Sequence, residues 1–255
     1  MLSVVIPSYK DPLLHKTIDS LLDNAIGDIE VIAVIDGYKL EKQLRDDPRV
    51  RQVVHNEAKG MRGAINAGVA AAKGEFLMRT DEHCKFGKGY DRILSNDIEN
   101  NWIVTPRRYK LDVETWRVLG QPIDRERLII HKRLNKFAAR TWRTRDEERK
   151  DISIDEKTAM QGSCWFMTRY HWDNVIDELQ SKGYGTHYQD STEMSFKTWQ
   201  AGGKLMLTTN TWYAHKDRRF PRTHHYPNKL ARASFKYALD LWSDYYFNVV
   251  KKWGI

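Results

Sequence analysis

Cysteine is scarce in this 255-residue chain, which holds only Cys84 and Cys164, far apart and without the short paired spacing of a zinc site. Two lone thiols give no disulfide framework, so both are expected to be free, with Cys84 a buried structural thiol. Long hydrophobic runs are also missing. Nothing approaches the roughly 20 apolar residues needed to cross a bilayer. The run Leu2 to Pro7 is apolar but short, has no basic segment before it, and leads into polar residues, so it does not read as a signal peptide. An intracellular, cytoplasmic protein is the expectation.

What is present suits a folded α/β protein. Hydrophobic residues make up 41% and charged residues 30%, a balance that excludes a disordered chain. The net charge of +8 is unevenly placed. Residues 105–150 hold 14 Lys or Arg against 7 Asp or Glu, and residues 216–236 hold 7 against 1, so the remainder is net acidic. Basic charge gathered into two segments points to an anionic partner there; a solvated basic face is the alternative.

Along the first 106 residues strand and helix patterns alternate. Leu2 to Pro7 reads as a buried parallel strand, Leu13 to Leu22 as a helix, and Asp28 to Ile35 as a second strand ending at Asp36-Gly37. Lys39 to Asp46 is expected as a short helix, Val50 to His55 as a strand, Tyr90 to Glu99 as a helix and Trp102 to Pro106 as a strand. This alternation predicts a doubly wound parallel sheet. Ligands in such sheets sit at the carboxyl ends of strands. Asp36 is therefore a candidate for holding a ribose or base, against the plainer role of a turn former before Gly37.

The densest stretch is Asn56 to Tyr90. Gly63 to Lys73 is built from small residues, a helix thin enough for its backbone to press on a sheet or ligand. A short strand, Glu75 to Thr80, then delivers Asp81-Glu82-His83. Asp-x-His at a strand end offers an oxygen and an imidazole on the same side of an extended chain, a pair suited to Mn²⁺ or a similar ion. The tripeptide alone also fits a turn cap and a surface histidine.

The runs VVIPSYKD, VIDG, GMRGAINAGVAAAKGEFLMRTDEH and QGSCWFMTR together resemble the GT-A fold glycosyltransferases, family 2 in particular. The D-x-H form, the block DSTEMSFKTWQAGGKL and the histidine of WYAHKDR are more specifically similar to the polypeptide N-acetylgalactosaminyltransferase group. The likeness covers residues 1–83 and about 159–216. It implies one α/β domain over residues 1–255, with a mostly parallel sheet flanked by helices. Residues 1–106 would form a nucleotide-sugar half, 107–158 a basic insertion, 159–220 an acceptor and catalytic half, and 221–255 a helical tail. Pro7, Ser8, Tyr9 and Asp11 would border the nucleobase, Asp36 the uracil or ribose, and Gly60 and Arg62 the base or diphosphate. Asp81, His83 and His215 would be ligands of Mn²⁺ or Mg²⁺. Trp165 would stack on donor or acceptor, with a core position as the alternative. Asp190 and Glu193, spaced i, i+3 on a helix, can face one pocket as catalytic carboxylates; they also fit a capping box. Where inverting relatives carry a general base this chain has Ser191, so either Asp190 substitutes or configuration is retained.

The implied activity is metal-dependent transfer of a sugar from a nucleoside diphosphate donor, a uridine diphosphate sugar in the first instance, to a hydroxyl. After His215, Arg218, Arg219 or Arg222 could supply a diphosphate contact. Arg107, Arg108, Trp142, Arg143 and Arg145 combine guanidinium groups with an aromatic, the ingredients of a nucleic-acid groove. They suggest DNA as acceptor, through a flipped hydroxymethylated pyrimidine. A saccharide or protein acceptor is the alternative, and a non-catalytic nucleic-acid-binding protein on the same scaffold is the reading from another class. The stripe Leu230, Phe235, Leu239, Trp242, Tyr246 in an amphipathic helix from Tyr226 to Trp253 is expected to pack on the sheet rather than on a membrane surface.

Overall fold

Leu2, Val4, Val5 and Ile6 are fully or almost fully buried. They belong to the first strand of a sheet that organises the whole chain. The computed structural model describes residues 1–221, 228–251 and 253. In its amino-terminal half the elements are β1 (Leu2–Ser8), α1 (Leu14–Asn24), β2 (Ile29–Asp36), β3 (Val50–His55), α2 (Gly60–Ala71), β4 (Phe76–Thr80), β5 (Cys84–Phe86) and α3 (Tyr90–Asn96). The remainder comprises β6 (Trp102–Asp112), β7 (Arg117–Ile123), β8 (Glu126–His131), β9 (Lys136–Thr141), α4 (Arg143–Glu148), β10 (Ile154–Lys157) and β11 (Cys164–Thr168). A single turn α5 (Arg169–His171) runs into a π-turn (Trp172–Ile176), followed by α6 (Asp190–Gln200), β12 (Lys204–Lys216) and α7 (Asn228–Lys251).

The main sheet has ten strands, and its longest path runs β10-β12-β6-β11-β4-β1-β2-β3. Its first half, β3-β2-β1-β4, is parallel throughout, as the alternation of strands and helices demands. Beyond β4 the sheet becomes mixed: β11 is antiparallel to β4 and β6, while β6 and β12 are parallel. β8 and β9 form a separate hairpin. One apolar layer lies on each face. Each fully buried Val, Leu or Ile in these layers contributes about 1.5–3 kcal/mol over exposure.

The thin helix anticipated in the densest stretch is α2, and its thinness has a use. A Cβ on Gly68 would come within 2.3 Å of Val5 Cγ1, so only glycine lets α2 settle this closely on β1. Two expected elements differ from those observed. Lys39 to Asp46 is irregular rather than helical: Leu44 is the only buried anchor, and Asp47 and Pro48 follow at once to turn the chain. The basic segment 107–158 is not an appendage, since β6 extends to Asp112 and β10 joins the sheet through β12.

The terminal helix packs inward, against α6 and the β8–β9 hairpin. Ala238, Trp242, Tyr246, Val249 and Val250 are buried. The Trp242 ring stacks on Phe196 at 4.9 Å, and its indole N–H donates to Tyr184. Of the predicted stripe only Leu230 remains exposed. No helix among the described residues is long and apolar enough to cross a membrane. Arg222 and Tyr226 lie outside the described residues.

Candidate active site

β1, β2 and β4 all end at one edge of the sheet, and β12 crosses beside β5 to reach the same place. β12 pairs with β5 so that His215 stands opposite Cys84, one residue from His83. A register shift in β12 between Thr208 and Trp212 bends the strand toward this edge. Residues remote in the chain thereby meet.

Three of them form a tight cluster. His215 Nε2 lies 3.0 Å from Asp81 Oδ2 and 3.2 Å from His83 Nε2. His83 Nε2 is 3.7 Å from Asp81 Oδ2. One ligand atom from each thus falls within 4.8 Å of the others. The supports behind them are equally specific. Asp11 Oδ2 is 3.0 Å from His83 Nδ1, and since a carboxylate only accepts, Nδ1 carries the proton and Nε2 presents a lone pair to the cluster. Arg79 donates to Asp81 Oδ1 at 2.5 Å. One hard oxygen and two imidazole nitrogens converging in this way fit a divalent ion of the manganese type.

Electrostatics agree with that donor set. Burial pushes the Asp81 carboxyl up, but the Arg79 guanidinium and the His215 hydrogen bond hold it well below the usual carboxylate range. Burial lowers His215 to about 4 despite its bond to Asp81. At neutral pH the carboxylate is therefore ionised and the imidazole neutral, the states in which both bind metal. Glu82, between the two ligands of the tripeptide, accepts from the Tyr9 backbone N–H at 3.1 Å, and burial pushes its carboxyl up to about 8.

A cavity of about 570 Å³ opens from the cluster toward the carboxyl-terminal half. Asp81 and His215 lie on its wall with Gln161, Gly162, Ser163 and Asp190. A second, of about 280 Å³, touches His83, His215 and Arg218. Asp190 is buried, and its Oδ2 has no hydrogen-bond partner. Other carboxylates on the larger cavity are engaged: Glu126 accepts from Arg108 and Gln161, and Asp217 from the Arg219 backbone. Gly162 makes room, because a Cβ there would sit 2.8 Å from Asp190 Oδ2.

The remaining expected site residues divide. Pro7, Ser8 and Tyr9 lie at the end of β1, where the Ser8 hydroxyl meets Tyr38 OH at 2.6 Å and the Tyr9 ring stands edge-on to Tyr38. Arg218 lines both cavities. Other residues are committed elsewhere. Asp11 faces His83. Asp36 spends its carboxylate on the backbone N–H groups of Lys59 and Gly60 and on His55, where it anchors the positive amino end of α2. Gly60, with φ of +78° and Thr186 packed against it, serves that same turn.

Arg62 does not reach the cleft. It is fully buried, donating to Tyr188 O, Gln180 O and Glu193 Oε2 beneath the Tyr184 ring. Glu193 is consequently a core ion-pair partner of Arg62 and Lys197 and does not share Asp190's cavity. No side chain caps α6, so the capping-box alternative does not hold either. Trp165 is also fully buried, stacked on Trp172 at 5.8 Å, because its place in β11 turns it to the core face.

Much of the basic segment is internally neutralised. Arg107 pairs with Asp124, Arg108 with Glu126, and Arg145 with Asp155. Trp142 packs edge-on to Trp253 with the Arg145 guanidinium over its ring. Arg143 is exposed. Both cysteines are buried free thiols, with burial pushing their ionisation up. Four participants escaped the sequence reading: Arg79, Glu82, Tyr38 and Asp11 in its supporting role. Only Arg79 left a signal, being two residues before Asp81 on an extended strand and so on the same side.

The chain is similar to known proteins in both sequence and fold. Polypeptide N-acetylgalactosaminyltransferase 12 of Mus musculus is 25% identical over 266 residues, covering 95% of this chain and 44% of that protein. "Uncharacterized glycosyltransferase EpsJ" of Bacillus subtilis (strain 168) is 30% identical over 249 residues, covering 94% of this chain and 65% of its own length. The chain thus spans less than two thirds of these curated relatives. Among solved structures, GalNAc-T7 with UDP, GalNAc and Mn²⁺ superposes with a TM-score of 0.72 at 19% identity, over 86% of this chain and 44% of that one. S. aureus TarS 1-349 superposes at 0.55 with 10% identity, covering 84% and 60%. The fold is therefore the expected GT-A α/β fold. Residues 3–176 match the Glycosyl transferase family 2 domain, and the chain belongs to glycosyl transferase family 2.

Proposed function

We propose that the chain transfers a sugar from a nucleoside diphosphate donor to an acceptor hydroxyl, with a divalent cation, Mn²⁺ or Mg²⁺, held by Asp81, His83 and His215. The observation that carries this reading is the convergence of those three side chains, with Asp81 and His215 on the wall of the 570 Å³ cavity. A cation there supplies Lewis-acid stabilisation of the charge that grows on a departing diphosphate. Asp11 orients His83, and Arg79 balances the Asp81 carboxylate. The end of β1, with Ser8, Tyr9 and Tyr38, borders the donor nucleoside, for which uridine is the first choice because the GalNAc-T7 neighbour was solved with UDP and Mn²⁺. Arg218, on both cavities, contacts the diphosphate.

Asp190, on the cavity wall, meets the sugar hydroxyls. Ser191 has no base chemistry, so we favour transfer with retained configuration. On this reading Asp190→Asn raises the donor KM together with lowering kcat; a base would lose kcat alone, by about 10²–10⁴-fold. The acceptor reading shifts from DNA toward a saccharide. Arg107, Arg108 and Arg145 are spent on internal carboxylates, and the Arg145 guanidinium already lies over the Trp142 ring, where a base would compete with it. The deciding experiment is release of nucleoside diphosphate from a panel of nucleotide sugars with Mn²⁺. Release that Asp81→Ala abolishes supports the reading; absence of release with every donor and acceptor refutes it, and leaves a binding protein on a transferase scaffold.

A further inference from the structure

Beside the active-site cavity lies another, of about 600 Å³, lined by Arg127, Arg140, Thr141, Trp142, Arg143 and Thr144. It contains three guanidinium groups, two hydroxyls and no carboxylate. We propose that this cavity holds a phosphate group carried by the acceptor, which would make the acceptor a phosphate-bearing saccharide or polyol chain. The transferase reading supplies the identity of that chain; the anion site itself stands on independent features.

Its charges are unmatched where neighbouring ones are not. Arg125, Arg145 and Arg149 all converge on Asp155, and Arg107 and Arg108 have Asp124 and Glu126. Arg127, Arg140 and Arg143 have no acidic partner among the described residues, and the Nε of Arg127 is buried without a hydrogen-bond partner. Guanidinium groups gathered from β8, β9 and the start of α4 repel one another, and a polyvalent anion relieves that repulsion. Donors approaching from three elements suit the tetrahedral oxygens of a phosphate better than the planar pair of a carboxylate.

Continuity ties this site to the chemistry. Arg140 and Thr141 line both this cavity and the one that holds Asp190. An acceptor with its hydroxyl in the first and a phosphate in the second is therefore a chain spanning both. A nucleic acid also carries phosphates, but Trp142, the one aromatic residue lining the cavity, already has the Arg145 guanidinium over its ring, and a stacking base would compete with it.

The test is equilibrium binding of three short probes: a glycerol phosphate oligomer, an oligogalacturonate of matched length and a single-stranded oligonucleotide. Each is measured on the wild type, Arg127→Gln and Arg143→Gln, with thermal melts run in parallel. The glycerol phosphate oligomer is expected to bind most tightly, and each substitution to weaken it by about tenfold or more. Because Arg143 is exposed, its replacement leaves a folded protein even if the Arg127 variant is unstable. Tighter binding of the oligogalacturonate or the oligonucleotide, or phosphate binding indifferent to Arg143→Gln, overturns the proposal. Donor cleavage by the wild type is scored separately. Probe binding without donor cleavage removes the transferase reading and leaves the anion site, whereas cleavage without probe binding removes the anion site alone.

Discussion

Replacing Asp11 by Asn probes the proposed metal site of Asp81, His83 and His215 from behind without altering its three residues. The carboxylate is buried and serves two donors at once: Oδ1 accepts the Leu13 backbone N–H at 2.9 Å, and Oδ2 faces His83 Nδ1 at 3.0 Å. Asn keeps the shape but has one oxygen for two donors on opposite sides of the group. If the amide oxygen stays with Leu13, the amide nitrogen faces His83, moves the ring proton to Nε2 and blocks the lone pair the cluster needs. Loss of a carboxylate behind a ligating histidine lowers metal affinity by about 10–100-fold, or roughly 1.4–2.7 kcal/mol. Calorimetric titration with Mn²⁺ reads this directly, before any donor is added. Asp11→Asn is expected to weaken Mn²⁺ within that range while the folded protein retains its far-ultraviolet spectrum. An affinity equal to wild type would refute the assignment of Asp11 as the support of His83.

Further consequences follow from buried groups away from the cluster. Glu193→Ala strands the Arg62 guanidinium in the core and should cost about 3–5 kcal/mol in urea unfolding, whereas Arg62→Met with Glu193→Leu should cost less than the single change. His171 is buried against Thr198, and burial lowers it from 6.5 to about 4. Between those values the unfolded chain takes the proton first, so this contribution is complete above pH 6.5 and lost as pH falls toward 4, by roughly 3 kcal/mol at most. The acid-side loss should shrink in His171→Gln, measured as melting temperature against pH. Gly162→Ala brings a methyl within 2.8 Å of Asp190 Oδ2 and should slow transfer on the order of 100-fold; a wild-type rate would show that Asp190 needs no such fixed position.

How far the sequence disclosed these features depends on the range of the interaction. β1, β2 and α2 were legible because a buried parallel strand is a continuous apolar run and a close-packed helix needs small residues. The closeness of Asp81 and His83 was legible because both lie on one short segment at the end of β4. His215 came only through resemblance, since its meeting with His83 depends on the bend in β12. The partners of Arg62 lie 118, 126 and 131 residues away, and no local pattern announces that a charged side chain on α2 will turn inward to them. The same holds for Trp165, whose strand identity was clear while the face it would occupy was not. Basic composition misled most where acids interleave with it: Asp124, Glu126 and Asp155 fall within or beside the segment that they neutralise.

The most direct measurement is anomalous scattering at the manganese edge from crystals of the protein grown with Mn²⁺ and UDP. One peak bounded by Asp81 Oδ2, His83 Nε2 and His215 Nε2, with the diphosphate completing its coordination, is the expected result. Manganese bound elsewhere, or UDP bound with no metal between these three side chains, would contradict it.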